Sequence, residues 1–444
     1  MTIDEDTELH DPVRRERAGL VALWWSNGIS ALGSAMTSVA IPWFILQTTG
    51  SAALTGLVAT AMTLGGVLSG VLSGPLIDRF GFKRSSVLTD AASAFLVAAI
   101  PLLYAAQALP FWLILVLVFV ITCIQGPGDA ARYALMPGLA RRAGRTIERV
   151  NGVDRVIAKA ALLIGPIVGG VLIAVLGPQN VLLVDAVTFG ASAILVALFV
   201  HPRSHDEGAA EGGQTGRSYR ADLLVGLRFV FSNGLLLSMV AVISVANALD
   251  SSLITVVLPV YARDVWGSPT SFGALVSAIG AGALVGAAVF GAIGHRMPRR
   301  LTFLVAGAGG ALLLYGGLAL TPPLGLMLVL ALLGALVGGP VVPLIFTVVQ
   351  TITPAEVYGR VFGALQSLSQ ALAPFVIAIV GFVIEGAGLV RTIVALGAVY
   401  LVVTLGMLFN PALRRLDADR TLPPPGGAEA AAAGVGLGDR ERPA

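Results

Sequence analysis

Residues 74–106 read GPLIDRFGFKRSSVLTDAASAFLVAAIPLLYAA. The second part, 85–106, is an apolar run of the ~20 residues that an α-helix needs to cross a bilayer. The first part, 74–84, is a short turn carrying two of its glycines beside an acid and three cations. A second run of spanning length lies at 301–320. The whole chain has this character. Of its 444 residues 56% are hydrophobic and 12% charged, whereas a soluble domain carries roughly a quarter charged residues. So few charges do not cover a water-facing surface of this size.

Working outward from that stretch predicts twelve spans, at 19–47, 52–76, 85–106, 111–133, 151–176, 180–200, 235–261, 270–293, 301–320, 324–350, 361–384 and 389–409. The expected organisation is a tail at 1–18, a six-helix bundle at 19–200, a linker at 201–234, a second six-helix bundle at 235–409 and a disordered tail at 410–444. Residues 2–17 are acidic and then basic, with no small-residue cleavage site behind a short apolar region, so the first run is expected to stay as a span. In the linker, His201 to Gly216 is polar and glycine-rich and is expected to be disordered. Leu223, Leu224, Leu227 and Phe231 recur at helical spacing beyond it, which predicts an amphipathic helix on the membrane surface.

Charge sets the orientation. The net charge of +3 is carried almost wholly by arginine, with lysine only at Lys83 and Lys159. One set of loops holds Arg14, Arg15, Arg17, Arg79, Lys83, Arg84, Arg141, Arg142, Arg145, Arg149, Arg203, Arg217, Arg220, Arg296, Arg299, Arg300, Arg360, Arg414 and Arg415; the alternate set holds Arg263 and Arg391. The excess of cations in cytoplasmic loops then puts both termini in the cytoplasm of a cytoplasmic-membrane protein. Alternation of this kind requires an even number of spans. The cations are spread among short loops and do not form a basic face with interleaved aromatics, so no nucleic-acid partner is expected.

The two halves repeat. A shift of 217 residues lays Pro42 on Pro259, Gly56 on Gly273, Gly74 on Gly291, Arg79 on Arg296 and Pro137 on Pro354. The register slips by six residues before span 5, where Arg149-Val150 matches Arg360-Val361. Two parallel six-helix halves with a site between them near the midplane are a transporter plan.

The turn between spans 2 and 3 resembles the signature G-x-L-a-D-r-x-G-r-k of the major facilitator superfamily, through Gly74, Leu76, Asp78, Arg79, Gly81, Lys83 and Arg84. The second half carries a degraded copy, with His295 in the place of the acid. Span 5 contains Gly165-Pro166-x-x-Gly169-Gly170, which matches the core of the motif found in exporters of that superfamily; a kinked hinge and a purely structural kink are both open readings. Span 4 carries Gln125-Gly126-Pro127-Gly128-Asp129-Ala130, similar to the second half of the drug/proton antiporter motif, but the arginine of that motif falls on Thr122. The overall resemblance covers about 19–409 and extends to a bacterial subgroup of drug, siderophore and macrolide exporters. It implies an all-α fold of twelve transmembrane helices in two pseudo-symmetric six-helix bundles. It also implies a latch of Asp78, Arg79 and Asp129 that holds the outward-facing state.

Polar residues inside spans point to a site. Asp250 lies near mid-span, where a bare carboxylate is costly, and is a coupling candidate. Asp185 and Asp90 are further candidates, placed nearer span ends where water or headgroups are within reach. Asn27, Ser30, Gln125, Asn247, Gln366 and Gln370 are cavity candidates, with interhelical hydrogen bonding as the alternative. Gly66, Gly70 and Gly74, with Ala283, Ala287 and Gly291 as their repeat, are expected to allow close packing, either as a sliding seam between the halves or as static contacts.

Other classes fail on specific grounds. A P-loop needs Lys followed by Ser or Thr, and Lys83 precedes Arg84 while Lys159 precedes Ala160. His10, His201, His205 and His295 lie in tails or loops without metal-ligand spacing, and the lone Cys123 forms no intrachain disulfide. Gly307-x-Gly309-Gly310 lacks the strand-helix setting of a nucleotide fold. The sequence therefore predicts a monomeric, non-enzymatic secondary transporter with no cofactor and no metal. It would exchange protons for a medium-sized, partly apolar small molecule across the lipid bilayer, as an exporter working by alternating access. An importer or lipid transporter on the same fold is the first rival, and a membrane receptor or scaffold the second.

Overall fold

The computed structural model describes residues 5–201, 219–353 and 357–407. The linker stretch 202–218, the tail beyond 407 and Pro354 of the repeat lie outside the described residues. Among the described residues there are helices and no strands, and twelve helical segments are long and apolar enough to cross a membrane. They run Glu16–Thr49, Ala52–Phe80, Phe82–Ala105, Phe111–Arg142, Ile147–Leu176 and Pro178–Phe199 in the first half. In the second half they run Leu236–Trp266, Pro269–Arg296, Arg299–Ala319, Leu324–Gln350, Tyr358–Ala387 and Leu389–Gly406. These are spans 1 to 12. Each lies close to its predicted position; the largest boundary difference is span 4, which continues nine residues past the predicted end at 133 to Arg142. The apolar residues Leu135, Met136, Leu139 and Ala140 hold that extension against Leu20, Leu23, Val150 and Val196.

The internal repeat has a backbone signature. The 217-residue offset lays Gly50 (φ 70°) on Gly267 (φ 62°), and the 211-residue offset beyond the slip lays Gly177 (φ 84°) on Gly388 (φ 89°). These four glycines turn the chain between spans 1 and 2, 7 and 8, 5 and 6, and 11 and 12, all at the end opposite the arginine-rich loops. A positive φ without strain needs glycine, so the same turn chemistry recurs at matching places.

The halves meet at that same end. Gly56 of span 2 faces Gly381 of span 11, where a Cβ added at Gly56 would stand 3.0 Å from the Ile377 carbonyl oxygen. The equivalent pair under the repeat is Gly273 of span 8 and Gly170 of span 5, where a Cβ on Gly170 would stand 2.7 Å from the Pro269 carbonyl oxygen. Polar contacts reinforce both seams; at the second, Thr270 Oγ1 donates to the Gly170 carbonyl (3.4 Å). Ser51 Oγ donates to Glu385 Oε1 (2.5 Å), and the Ala53 N–H donates to the same oxygen (3.1 Å). Thr60 Oγ1 donates to the Pro374 carbonyl (3.1 Å), and Arg263 Nη1 donates to the Gly50 carbonyl (3.1 Å). The largest apolar cluster mixes both halves, whereas the three smaller clusters, toward the basic end, each belong to one half. The molecule is thus sealed at one end and parted at the arginine-rich end.

Several details differ from the sequence reading. Gly66, Gly70 and Gly74 do not pack tightly here: a Cβ on any of them meets nothing within 4 Å, because they lie on the parted face of span 2. Ala283 and Ala287 do pack, but within their own half, against Gly339 of span 10. Span 7 contains two π-helical stretches, Leu253–Val257 and Ala262–Trp266, and span 9 one, Val305–Gly309. Span 10 breaks at Gly339-Pro340 and span 11 at Leu372, ahead of Pro374. The amphipathic helix is Tyr219–Ser232. It lies on span 11, with Val230 buried against Leu236, Val361 and Ala364, and Gly226 facing the Arg360 carbonyl. Leu224 and Phe231 are exposed, while Leu227 packs into the protein, so the apolar residues divide between two faces.

The sealed seam sets a stability expectation. Gly381→Ala brings a Cβ to 2.7 Å from the Ala52 carbonyl oxygen and should cost about 1–3 kcal/mol, read as a lowered Tm of the detergent-solubilised protein. Gly66→Ala enters open space and should leave Tm unchanged.

Candidate functional site

The polar centre of the first half is built on Arg132, a residue with 3% exposure inside span 4. Its Nη1 donates to both oxygens of Asp90 on span 3 (2.7 and 2.6 Å), and its Nη2 donates to Asp129 one turn earlier on its own helix. Asp90 Oδ2 also accepts from Ser192 Oγ of span 6 (2.6 Å), and Ser192 pairs with Ser26 of span 1 (2.6 Å). Four helices are therefore tied together through one guanidinium. A planar donor fork suits this task, since one arginine reaches two carboxylates in fixed directions.

Beside this cluster is a cavity of about 190 Å³. Asn27, Ser30, Gln125, Asp90, Asp129 and Arg132 line it, together with Tyr133, Asp154 and Ile157. Asp154 of span 5 is 3% exposed, and its Oδ1 accepts from Asn27 Nδ2 at 2.8 Å. The structure thus brings together five of the predicted polar residues: Asn27, Ser30, Gln125, Asp90 and Asp129.

The other predicted residues lie elsewhere. Asp185 is fully buried between spans 1 and 6, accepting from Thr37 Oγ1 (2.5 Å) and Thr188 Oγ1 (3.0 Å). Asp250 is partly buried in the second half beside Tyr315 and Tyr400, whose ring centroids are 5.9 Å apart. It stands one turn ahead of the first π-helical stretch of span 7. Asn247 and its neighbour Ser244 serve span 11: Ser244 Oγ donates to the Leu368 carbonyl (2.8 Å) and Asn247 Nδ2 to the Ser369 carbonyl (3.3 Å), just before the break at Leu372. Gln366 and Gln370 are exposed on the same segment.

In the loop motif Asp78 and Arg79 are exposed, with the Arg79 guanidinium 5.5 Å from the centre of the Phe80 ring, and Lys83 Nζ donates to the Ala197 carbonyl (2.8 Å). Gly74 and Arg84 are also exposed, while Gly81 makes the turn at φ 74°. Asp129 is paired with Arg132, so the Asp78, Arg79 and Asp129 contact is not formed in this conformation. In the span 5 motif Gly165 and Gly169 receive Ala35 and Met36 of span 1, Gly170 meets span 8, and the Pro166 carbonyl faces Gly273.

Two expectations about depth are corrected. Asp90 and Asp185 were expected within reach of water or headgroups; both are buried and held by protein partners. Asp129 was expected near the end of span 4; the helix runs on for more than three turns beyond it, because the segment after Tyr133 is apolar enough to pack. That early boundary places Arg132 in the last turn of span 4, and the late start of span 5 places Asp154 in its first turn, where charged residues at a water interface are ordinary. The available signal was charge of both signs next to apolar runs that continue beyond it.

Comparison with known proteins places the chain. The family model described as Major Facilitator Superfamily matches residues 23–378 and, overlapping, 240–432. The chain is 32% identical over 414 residues to the multidrug efflux pump Tap of Mycolicibacterium fortuitum, covering 90% of this chain and 98% of that protein. It is 32% identical to Tap of Mycobacterium tuberculosis (strain ATCC 25618 / H37Rv), covering 88% and 92%. An uncharacterized MFS-type transporter of Bacillus subtilis (strain 168), YfiS, is 28% identical over 81% of this chain and 85% of its own. In fold it is similar to the nucleoside transporter NupG, with a TM-score of 0.70 at 12% identity over 88% of this chain and 98% of that one. A POT family transporter in complex with 5-aminolevulinic acid gives a TM-score of 0.67 at 13% identity over 89% and 96%. The chain belongs to the Major Facilitator Superfamily.

Removing the cation from the buried cluster leaves Asp90 without its counter-charge. Arg132→Met should destabilise the folded protein by about 3–5 kcal/mol, seen as a large fall in Tm or in detergent-extractable yield. Adding Asp90→Asn should recover part of that loss, because it removes the stranded charge.

Proposed function

We propose that this member of the Major Facilitator Superfamily is an exporter in the cytoplasmic membrane, working by alternating access, with both termini in the cytoplasm. The observation that carries the reading is the parted end. Among the described residues the packing between the two halves lies at the end with few cations, and the opening faces the arginine-rich loops, which the distribution of cations assigns to the cytoplasm. The conformation is then the one that accepts substrate from the cytoplasm. The cavity beside Arg132 opens within the separated half and offers carboxylates, amides and a phenol to a substrate. Relatives that share nearly the full length and are named multidrug efflux pumps support drug export as the direction and purpose.

Alternating access requires the sealed seams at Gly56–Gly381 and Gly170–Gly273 to open while the basic end closes. The open face of Gly66, Gly70 and Gly74 is the surface on which span 2 would close, which gives the small-residue spacing a moving role. Protons are the proposed driving ion. Asp250 and Asp185 have no cation within ion-pair distance among the described residues, so each is placed to take up and release a proton, whereas Asp90 is tied to Arg132. Asp250 is the first choice, since the π-helical turns beside it leave span 7 a place to rearrange.

Expression in an efflux-deficient bacterial host should lower the accumulation of dyes, macrolides or siderophores several-fold, and a protonophore should abolish the difference. Asp250→Asn should remove pH-driven transport while the protein remains in the membrane. Unchanged accumulation for every compound would overturn the export reading. Alternating access has its own test. Ser51→Cys with Glu385→Cys, in a Cys123→Ala background, should be joined by a short bis-methanethiosulfonate reagent, which attaches to each cysteine through a disulfide; transport should stop and return on reduction. Full transport by the cross-linked protein would exclude opening at this seam.

A further inference from the structure

We infer that Arg155 and Lys159 of span 5 bind the carboxylate of an amphiphilic organic anion, on the wall of the cleft between the two halves. This deepens the export reading by naming a substrate class, and it rests on that reading.

Lys159 lies well inside span 5, which runs Ile147–Leu176. An ionisable residue at that depth marks a pathway or a partner. Its spacing fixes its direction. Lys159, Pro166 and Gly170 stand at i, i+7 and i+11, on one face of the helix. Pro166 and Gly170 are the points where span 5 meets Gly273 of span 8 at the sealed end. Toward the arginine-rich end the halves part, so the exposed Lys159 faces the cleft. Arg155 is exposed one turn earlier on the same face, its guanidinium 5.7 Å from the centre of the Tyr133 ring. Neither cation is in an ion pair among the described residues. Asp154 is next to Arg155 in the chain but is turned away, buried against Asn27 of span 1. Span 8, across the cleft, contains no acid from Pro269 to Arg296, so its approach brings none to the pair. Like charges at i, i+4 repel, and low-dielectric walls strengthen the field between them. A carboxylate held by both cations removes that repulsion. The arginine fork matches its two oxygens, and the lysine adds a second charge.

The surroundings of the pair suit an apolar body. Leu162, one turn beyond Lys159, is exposed. On span 8, Gly273, Gly280 and Leu284 share a face by the same i, i+7, i+11 spacing. A Cβ on Gly280 would meet nothing within 4 Å, and Leu284 is exposed, so this face is free below the seam. The repeat shows that the charge belongs to one wall only. The 211-residue offset lays Arg155 on Gln366 and Lys159 on Gln370, both exposed on span 11. Those amides offer hydrogen bonds without charge. A ligand is therefore oriented, with its carboxylate on span 5 and the rest of the molecule toward the uncharged walls. A neutral analogue forfeits the charge pairing, and a cation is repelled.

Fusidate, a carboxylate on a large apolar body, is the probe, with its neutral methyl ester as the comparison. With full-length protein in neutral detergent, Lys159→Gln should weaken fusidate binding about tenfold and leave ester binding unchanged. Lys159→Arg should retain fusidate within about threefold, and Arg155→Gln should weaken it several-fold. In cells, the weakened variants should lose fusidate export relative to export of chloramphenicol, which is neutral. Should Lys159→Gln fail to fold, Arg155→Gln and the loss of parent binding on raising salt carry the same comparison. Equal fusidate binding by the parent and the folded Lys159→Gln protein overturns the inference. So does a site that takes phosphatidylglycerol but no fusidate, which would make it a lipid headgroup site. A parent that exports chloramphenicol but neither binds nor exports fusidate overturns this site alone and leaves the export reading standing. A parent that exports nothing overturns both.

Discussion

Inside a bilayer there is no water to satisfy a backbone N–H or carbonyl, so every such group needs a partner from the protein. That constraint produces the twelve helices, and it also explains the places where the helices are interrupted. At the break in span 11, Pro374 has no N–H to give, and the Leu372 N–H turns to the Gln370 carbonyl. The neighbouring carbonyls of Leu368 and Ser369 are then met by Ser244 and Asn247 of span 7. Asn247, a cavity candidate by sequence, here serves with Ser244 in the repair of a broken helix.

The repeat gives the molecule two equivalent seams, but the halves have diverged in what they hold. Gly56–Gly381 and Gly170–Gly273 occupy matched places, and in each the absence of a side chain lets one helix lie against another. Only the first is reinforced by an acid: Glu385 receives Ser51 and the Ala53 N–H at the start of span 2, and its counterpart in the repeat is Ala174. The ion cluster of Arg132 has no twin either; the matching position is Val349. Pseudo-symmetry therefore describes the scaffold and the closing surfaces, while the buried ion cluster belongs to the first half and Asp250 to the second.

This division suits a transporter. The sealed seams are built from backbone contacts and a few hydrogen bonds, which can part without breaking any ion pair found among the described residues. The Arg132 cluster is held within one half and can move as a unit with its four helices. The amphipathic helix after the linker is anchored on span 11 through Val230 and Gly226, so the connection between the halves ends on a helix that takes part in the seam.

Much of this was legible in the residues alone. Hydrophobic length, the alternation of arginine between loops and the 217-residue repeat determined twelve helices in two similar halves, because bilayer thickness and loop charge act on each segment separately. The signature from Gly74 to Arg84 carried the family in the same way, through local spacing. Tertiary structure alone decided which acids are paired. Asp90, Arg132 and Ser192 lie on three different helices, and Asp154 meets Asn27 across more than a hundred residues of chain. Charge compensation depends on distance in space, and a linear reading that ended span 4 at Tyr133 had no means of seeing that its arginine faced an acid on span 3.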